Sequence, residues 1–167
     1  MIKLNLPLSD KDIENLKVGD EVLLNGIIYT ARDAAHKRMM ESLPFEINNQ
    51  IIYYVGPTEP KKGEIFGSCG PTTAGRMDKY TPYLFDNGLR GCIGKGKRSK
   101  EVKEAIVRNK GIYFVTIGGL GALLSKCVTN EELIAYEDLG TEAIRKITVK
   151  DFPVYVGIDH KGGDIYE

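Results

Sequence analysis

The chain has 167 residues, and its 23 Lys and Arg balance its 23 Asp and Glu, so the formal net charge is zero. This length predicts one domain, residues 1–167, that can bury a core without disulfides, and the neutral balance argues against a nucleic-acid-binding protein, whose affinity comes from a basic surface. Without an apolar run long enough to span a bilayer or a signal-peptide core, the chain is expected to be cytoplasmic and to bind no membrane.

The first half of the chain alternates between β-prone and helical patterns. Residues 1–8 predict an edge strand, and residues 11–18 predict one helical turn or a loop, with Ser9 or Asp10 as its cap. Two β-prone runs flank Asn25-Gly26, a dipeptide that predicts a hairpin. Residues 31–42 then predict a helix, which Pro44 ends.

The second half repeats the alternation and then becomes rich in strands. The predicted strands cover residues 51–55, 89–93 and 112–118, and the predicted helices cover residues 77–86, 101–109 (with Ser99 as N-cap) and 119–126. More strands follow up to residue 158. The pattern predicts an α/β fold with a mixed sheet, flanking helices and antiparallel additions.

Residues 66–78 (FGSCGPTTAGRMD) combine glycines, hydroxyls and one arginine with few apolar side chains. Glycines let backbone N–H groups approach a ligand, and arginine binds planar anions through a fork of donors, so this composition is typical of an anion site. If Thr72 or Thr73 caps a following helix, the positive end of that helix points to the same place.

A nucleotide is the first anion to consider, but two segments fail the P-loop pattern. Residues 70–77 (GPTTAGRM) have Arg and Met where the motif needs Lys and Ser or Thr, and residues 91–98 (GCIGKGKR) end on Arg98 in place of the hydroxyl. Because the hydroxyl that would hold Mg²⁺ is missing twice, nucleotide hydrolysis is disfavoured.

A small dicarboxylate fits the cations better. Arg32, Arg76, Lys95 and, less clearly, Lys97 lie at the ends of predicted elements, where α/β folds bind ligands. Two or more cationic clamps suit a dicarboxylate; the alternative is that each cation is a solvated surface charge. His36 stands four residues after Arg32 on one predicted helix, so both can face one site.

Metal ligands are sparse. Cys69, Cys92 and Cys127 form no Cys-x-x-Cys pair, and His36 and His160 are isolated, so no metal site is predicted within this chain.

Four segments in order carry a family resemblance: residues 30–38 (TARDAAHKR), 70–78 (GPTTAGRMD), 93–99 (IGKGKRS) and 151–164 (DFPVYVGIDHKGGD). With them the chain resembles the β subunit of class I, iron–sulfur-dependent fumarate hydratase. The same module forms the C-terminal domain of the fused enzymes and the β subunit of L(+)-tartrate dehydratase.

The resemblance implies a swivelling β/β/α-type domain that works with an α subunit carrying a [4Fe–4S] cluster. It assigns Arg32, Arg76 and Lys95 to substrate binding and Thr72 to the position of the catalytic base. The proton acceptor stays open, because an alcohol is a poor base unless cations stabilise its alkoxide.

Other residues of the same segments are expected to support the site: Asp33 or Asp78 by orienting the arginines, together with His36 and Thr73. The expected activity is a hydro-lyase interconverting fumarate and (S)-malate. The alternatives are the β subunit of L(+)-tartrate dehydratase and, in another class, a non-catalytic dicarboxylate-binding or regulatory module. The isolated chain is expected to be inactive, to bind no cluster and to be able to form homodimers through the face left without its partner.

Overall fold

The computed structural model describes residues 1–67, 69–116 and 121–167. Its strands are β1 (Ile2–Asn5), β2 (Glu21–Thr30), β3 (Ile51–Tyr53), β4 (Gly91–Gly94), β5 (Ile112–Val115), β6 (Val128–Ala135) and β7 (Ile144–Ile158). Its α-helices are α1 (Asp10–Asn15), α2 (Asp33–Met39), α3 (Thr81–Asp86), α4 (Lys100–Arg108) and α5 (Gly121–Ser125), and two 3₁₀ segments cover Ala74–Met77 and Glu137–Glu142.

The strands form one mixed sheet in the order β1-β2-β3-β4-β5-β7-β6. β1 to β5 pair in parallel, whereas β7 is antiparallel to β2, β5 and β6. The long strand β7 pairs with β2 from Glu21↔Tyr155 to Thr30↔Arg145, and this pairing closes β2, β3, β4, β5 and β7 into a ring. The mixed sheet with flanking helices predicted from the sequence is therefore confirmed.

Alternation along the strands divides the core into two hydrophobic clusters. In the segment around β3, Ile51, Tyr53 and Val55 belong to one cluster, and Ile52 and Tyr54 belong to the other. Because successive side chains of a strand point to opposite faces, both faces of β3 are covered. The second cluster also contains the buried side chains of α2, α3 and α4, so these helices cover the outer face of the sheet.

The predicted hairpin at Asn25-Gly26 is wrong, because β2 runs unbroken through both residues. The register with β7 shifts between Leu24 and Gly26, which marks a β-bulge in place of a turn. Asp151 lies opposite: its backbone N–H donates to Asn25 Oδ1 at 2.9 Å, and Asn25 Nδ2 donates to its carboxylate at 3.3 Å. Gly26 has a φ of 131°, and a Cβ there would lie 2.9 Å from Leu6 Cβ, so the glycine serves a close chain crossing.

The two serine caps are confirmed, whereas two of the predicted helices are shorter in the structure. Ser9 caps α1 in a capping box, and Ser99 caps α4 by accepting from the backbone N–H of Val102, as expected. The helix predicted over residues 31–42 is shorter, Asp33–Met39, and the one predicted over residues 77–86 is divided into a 3₁₀ segment and α3. Of the strand predicted over 112–118 and the helix over 119–126, residues 117–120 lie outside the described residues.

No helix within the described part of the chain combines the length and apolar character needed to cross a membrane.

Candidate functional site

The predicted site residues lie at the carboxyl ends of three neighbouring parallel strands. Arg32 follows β2, and Lys95 follows β4 directly. The segment containing Thr72 lies beyond the end of β3, because the backbone N–H of Thr72 donates to Tyr54 O at 2.8 Å. The carboxyl ends of parallel strands are where ligands bind in α/β sheets, so the topology agrees with the sequence-based placement.

Thr73 and Lys95 are tied together through their backbones. They form an isolated parallel bridge, and the N–H of Ala74 donates to Lys95 O at 2.8 Å. Gly94 permits this approach, since a Cβ there would lie 2.8 Å from the Tyr54 ring, 3.1 Å from Ala74 Cβ and 3.4 Å from Thr72 O. The Lys95 ammonium pairs with no carboxylate among the described residues, which leaves it available for an anion.

The expected contribution of a helix end is not found. Thr73 precedes a 3₁₀ segment of only four residues, and its side chain makes no capping hydrogen bond. At the start of α2, the N–H of Ala34 already donates to the Glu142 carboxylate at 3.2 Å. The cationic side chains, rather than a helix dipole, therefore give this site its charge.

Asp33 lies between two of the predicted clamps. Its Oδ2 accepts from Arg76 Nε at 3.0 Å, and its Oδ1 lies 3.8 Å from Arg32 Nε. The side chain of Arg32 also packs on Gly56, where a Cβ would lie 3.0 Å from Arg32 Cδ. Asp33 thus contacts Arg76 through a hydrogen bond and Arg32 only at ion-pair distance, and its orienting role stays a prediction.

His36 is fully buried and does not reach the surface of the site. Its Nδ1 lies 2.8 Å from Arg32 O, so this nitrogen carries the proton and donates it. Burial lowers the pKa of His36 to about 4, which keeps the imidazole neutral. The ring therefore supports the backbone of Arg32 and cannot act as a charged ligand at neutral pH.

Asp78 is committed to other partners than the clamps. Its Oδ1 accepts from Arg98 Nε at 2.6 Å, and its Oδ2 accepts from the backbone N–H of Ser99 at 2.6 Å. The expectation that Asp78 orients Arg32 or Arg76 is not supported by any contact in the described residues. It instead joins the loop of Arg76 to the loop of Lys95.

Arg98 is the site-supporting residue that sequence reasoning missed. Its side chain is fully buried, and its NH2 donates at 3.0 Å to both Tyr54 Oη and Thr81 Oγ1. Its guanidinium also lies 5.1 Å and 4.7 Å from the ring centroids of Tyr54 and Tyr113. In the sequence, Arg98 stands in the resembling segment 93–99 and directly before the Ser99 cap, and neither position distinguishes a buried arginine from an exposed one.

Within the described ranges, the potential metal ligands lie apart from one another. Among the described residues there is no group of three or more His, Cys, Asp or Glu that could hold a metal ion. Cys69 and Cys92 are buried, and burial raises the pKa of the Cys69 thiol to about 12, which disfavours the thiolate that a metal needs. The residues in the described ranges thus do not fit an iron–sulfur cluster.

A groove of about 590 Å³ lies at the opposite end of the sheet, next to the amino ends of β4 and β5. It contains three cations, but Arg90, Arg108 and Lys110 are paired with carboxylates at 2.8, 2.9 and 2.6 Å. The cations at the carboxyl ends of the strands are less fully neutralised, and they are the better candidate for an anion site.

Comparison with known proteins agrees with this geometry. The family model described as "Fumarase C-terminus" matches residues 1–167. The chain belongs to the Fumarase C-terminus family. The family resemblance inferred from the sequence is therefore confirmed.

Relatives with two kinds of name match this chain. "Fumarate hydratase 2" of Leishmania major is 42% identical over 93% of this chain, and "Fumarate hydratase class I, aerobic" of Escherichia coli (strain K12) is 38% identical over 99% of it. The chain spans only 29% and 32% of these two proteins. "Putative L(+)-tartrate dehydratase subunit beta" of Methanocaldococcus jannaschii is 37% identical over 96% of this chain, which covers 88% of that protein.

Proposed function

We propose that this chain is the β subunit of a hydro-lyase that interconverts fumarate and (S)-malate. Its part is to supply the cationic clamps for the substrate at an active site shared with an α subunit. The observation that carries the proposal is the arrangement of Arg32, Arg76 and Lys95 at neighbouring strand ends in a member of the Fumarase C-terminus family.

Charge supports a dicarboxylate as the ligand. Among the described residues, Asp33 is the carboxylate that forms ion pairs with these three cations, which leaves an excess of two positive charges, equal in magnitude to the charge of a dicarboxylate at neutral pH. Each arginine offers planar paired donors for one carboxylate, and the lysine offers a compact point charge. These groups would hold the two ends of the substrate and fix its central carbons.

Thr72 is proposed as the residue nearest the carbon that gains or loses a proton. Its backbone is held by Tyr54, while its hydroxyl makes no hydrogen bond to any described residue. Hydration of fumarate adds a hydroxyl to one alkene carbon and a proton to the other. Thr72 can take part in the proton transfer only with help from neighbouring cations such as Lys95 and Arg76, which would stabilise its alkoxide.

The [4Fe–4S] cluster is proposed to belong to the α subunit. When bound there, it would supply Lewis-acid chemistry toward a substrate oxygen. The described residues of this chain do not fit it, and the part proposed for this chain is to bind and orient the substrate.

L(+)-Tartrate is the second candidate substrate. The relative from Methanocaldococcus jannaschii, which this chain covers almost from end to end, has tartrate dehydratase in its name. Tartrate also presents two carboxylates, so the same three cations could hold it.

The test combines the purified chain with a separately reconstituted iron–sulfur α subunit and follows loss of fumarate or tartrate. We expect turnover of one of them. Arg76→Ala should abolish this turnover without unfolding the chain, whereas the control variant Arg108→Ala should retain it. If neither substrate is turned over while the chain still binds dicarboxylates, the hydro-lyase proposal fails and the non-catalytic binding module replaces it.

Three further expectations accompany this proposal. Residues 1–167 form one domain, which the full-length family match supports. The complete enzyme is cytoplasmic, and the chain without its partner can form homodimers. Cell fractionation and light scattering of the purified chain test the last two.

A further inference from the structure

The Asp33 carboxylate lies close to two of the proposed clamps, Arg32 and Arg76. Arg32 Nε and Asp33 Oδ1 are buried atoms without a hydrogen-bond partner among the described residues, and they face each other at 3.8 Å. The other carboxylate oxygen accepts from Arg76 Nε at 3.0 Å. Asp33 thus lies between two guanidinium groups, of which that of Arg76 is the more exposed.

Arg32 does not need Asp33 to hold its position. Its carbonyl accepts from both the backbone N–H of His36, at 2.9 Å, and the imidazole of the same residue, at 2.8 Å. Its side chain packs on the bare backbone of Gly56 and is 27% exposed. Fixed at both backbone and side chain, Arg32 is a rigid clamp.

Arg76 has no comparable support. It projects from a four-residue 3₁₀ segment and its side chain is 55% exposed. Its bond to Asp33 is the one hydrogen bond that its side chain makes to any described residue. Because an exposed arginine samples many rotamers, this bond decides where the guanidinium points.

The atom that Asp33 engages also matters. Nε is used, so both terminal nitrogens of Arg76 remain available to a ligand as a pair of parallel donors. Asp33 itself is the first residue of α2, where a carboxylate is favoured by the helix, and the next N–H is held by Glu142. The carboxylate therefore projects toward Arg76 from a helical backbone position rather than from a loop.

We propose that Asp33 is a positioning residue that fixes the direction of the Arg76 guanidinium relative to Arg32, and so sets which spacing of two carboxylates the site accepts. The inference rests on the proposed function, since it concerns the same dicarboxylate site. The competing explanation is that Asp33 only screens charge, as many exposed ion pairs do.

The experiment separates position from charge with two variants. Asp33→Ala removes the charge and the acceptor, whereas Asp33→Asn removes the charge and keeps one carbonyl acceptor. Asp86→Asn is the control, because it removes a carboxylate from an arginine, Arg108, outside the site. In the full chain, the NMR signal of Arg76 Nε–H reports the hydrogen bond, and titrations with sulfate, fumarate (trans) and maleate (cis) report anion selectivity.

We expect Asp33→Ala to move the Arg76 Nε–H signal to the position of a free guanidinium. Its affinity for sulfate should rise with the added positive charge, while the preference between fumarate and maleate should fall by about tenfold, as for loss of a charged hydrogen bond. Asp33→Asn should raise sulfate affinity equally but keep part of the preference. In the assembled enzyme, Asp33→Ala should lower kcat as well as raise KM.

The positioning role is overturned if the Arg76 Nε–H signal is unchanged in Asp33→Ala. It is also overturned if the affinities for sulfate, fumarate and maleate all change by the same factor in both variants. Failure of the proposed function looks different: the unsubstituted chain, assembled with its α subunit, would then turn over neither fumarate nor tartrate.

Discussion

Asp78 and Arg98 form a salt bridge of 2.6 Å that lies behind the candidate site and joins its two loops. The arginine side chain is 0% exposed and the aspartate side chain 16% exposed. The second oxygen of Asp78 holds the first turn of α4 through the Ser99 N–H. One carboxylate thus connects the segment of Arg76 to the segment of Lys95.

Asp78→Asn should therefore be strongly destabilising. Removing one partner leaves the Arg98 charge buried without its counter-ion, which typically costs about 3–5 kcal/mol. Urea unfolding measures this loss. Asp86→Asn, which breaks the exposed pair with Arg108, should cost no more than about 1 kcal/mol; equal losses for the two variants would show that the Asp78 pair is not special.

Gly94→Ala should disturb the site through its backbone. The added methyl would lie 2.8 Å from the Tyr54 ring and 3.1 Å from Ala74 Cβ, so the segment carrying Thr72 must shift. We expect a loss of about 1–3 kcal/mol in unfolding free energy, together with weaker dicarboxylate binding. Gly75→Ala is the matched control, because its methyl would meet Lys97 O at an ordinary 3.5 Å; a similar loss there would contradict the steric argument.

Lys95 and Lys97 should differ although both lie in the same loop. Lys95 is half-buried and bridged to Thr73, whereas Lys97 is exposed. In the assembled enzyme, Lys95→Gln should lower kcat/KM by about 100-fold, the effect typical of losing one electrostatic contact to the reacting group. Lys97→Gln should change kcat/KM by no more than about threefold. A larger loss would indicate that Lys97, rather than Lys95, binds the substrate.

His36 should make the stability of the chain depend on pH. Because its pKa falls from 6.5 to about 4 on folding, the unfolded state takes up a proton first, so stability is complete above pH 6.5 and declines as pH falls toward 4. The loss saturates at about 3 kcal/mol. Urea unfolding at pH 7.5 and 4.5 should show most of this loss of unfolding free energy in the unsubstituted chain and in His160→Gln. His36→Gln should not show it, and an equal loss between the two pH values in His36→Gln would refute the assignment.

Local signals in the sequence were sufficient where a few neighbouring residues decide the structure. The Ser9 and Ser99 caps and the two-faced strand at residues 51–55 follow from side chains next to each other in the chain. Asn25-Gly26 failed because the decisive partners, Leu6 and Asp151, are distant in sequence, and they turn a hairpin signal into a bulge.

In the candidate site, too, local features could be predicted from the sequence and long-range contacts could not. Arg32, Arg76 and Lys95 were identified from composition and resemblance, and their strand-end positions follow from the parallel order of β2, β3 and β4. The carboxylate partners were harder to predict, because each aspartate lies near a predicted clamp in the sequence. Only the packed structure shows that Asp33 pairs with Arg76 and that Asp78 pairs with Arg98.

The pairing of β2 with β7 has a consequence for synthesis of the protein. Glu21 and Tyr155 are register partners, so the ring cannot close until almost the whole domain has left the ribosome. Until then, the edges of β2 and β5 that β7 will occupy are open to other chains. Truncation within Ile144–Ile158 should therefore yield aggregated chains rather than a smaller folded domain.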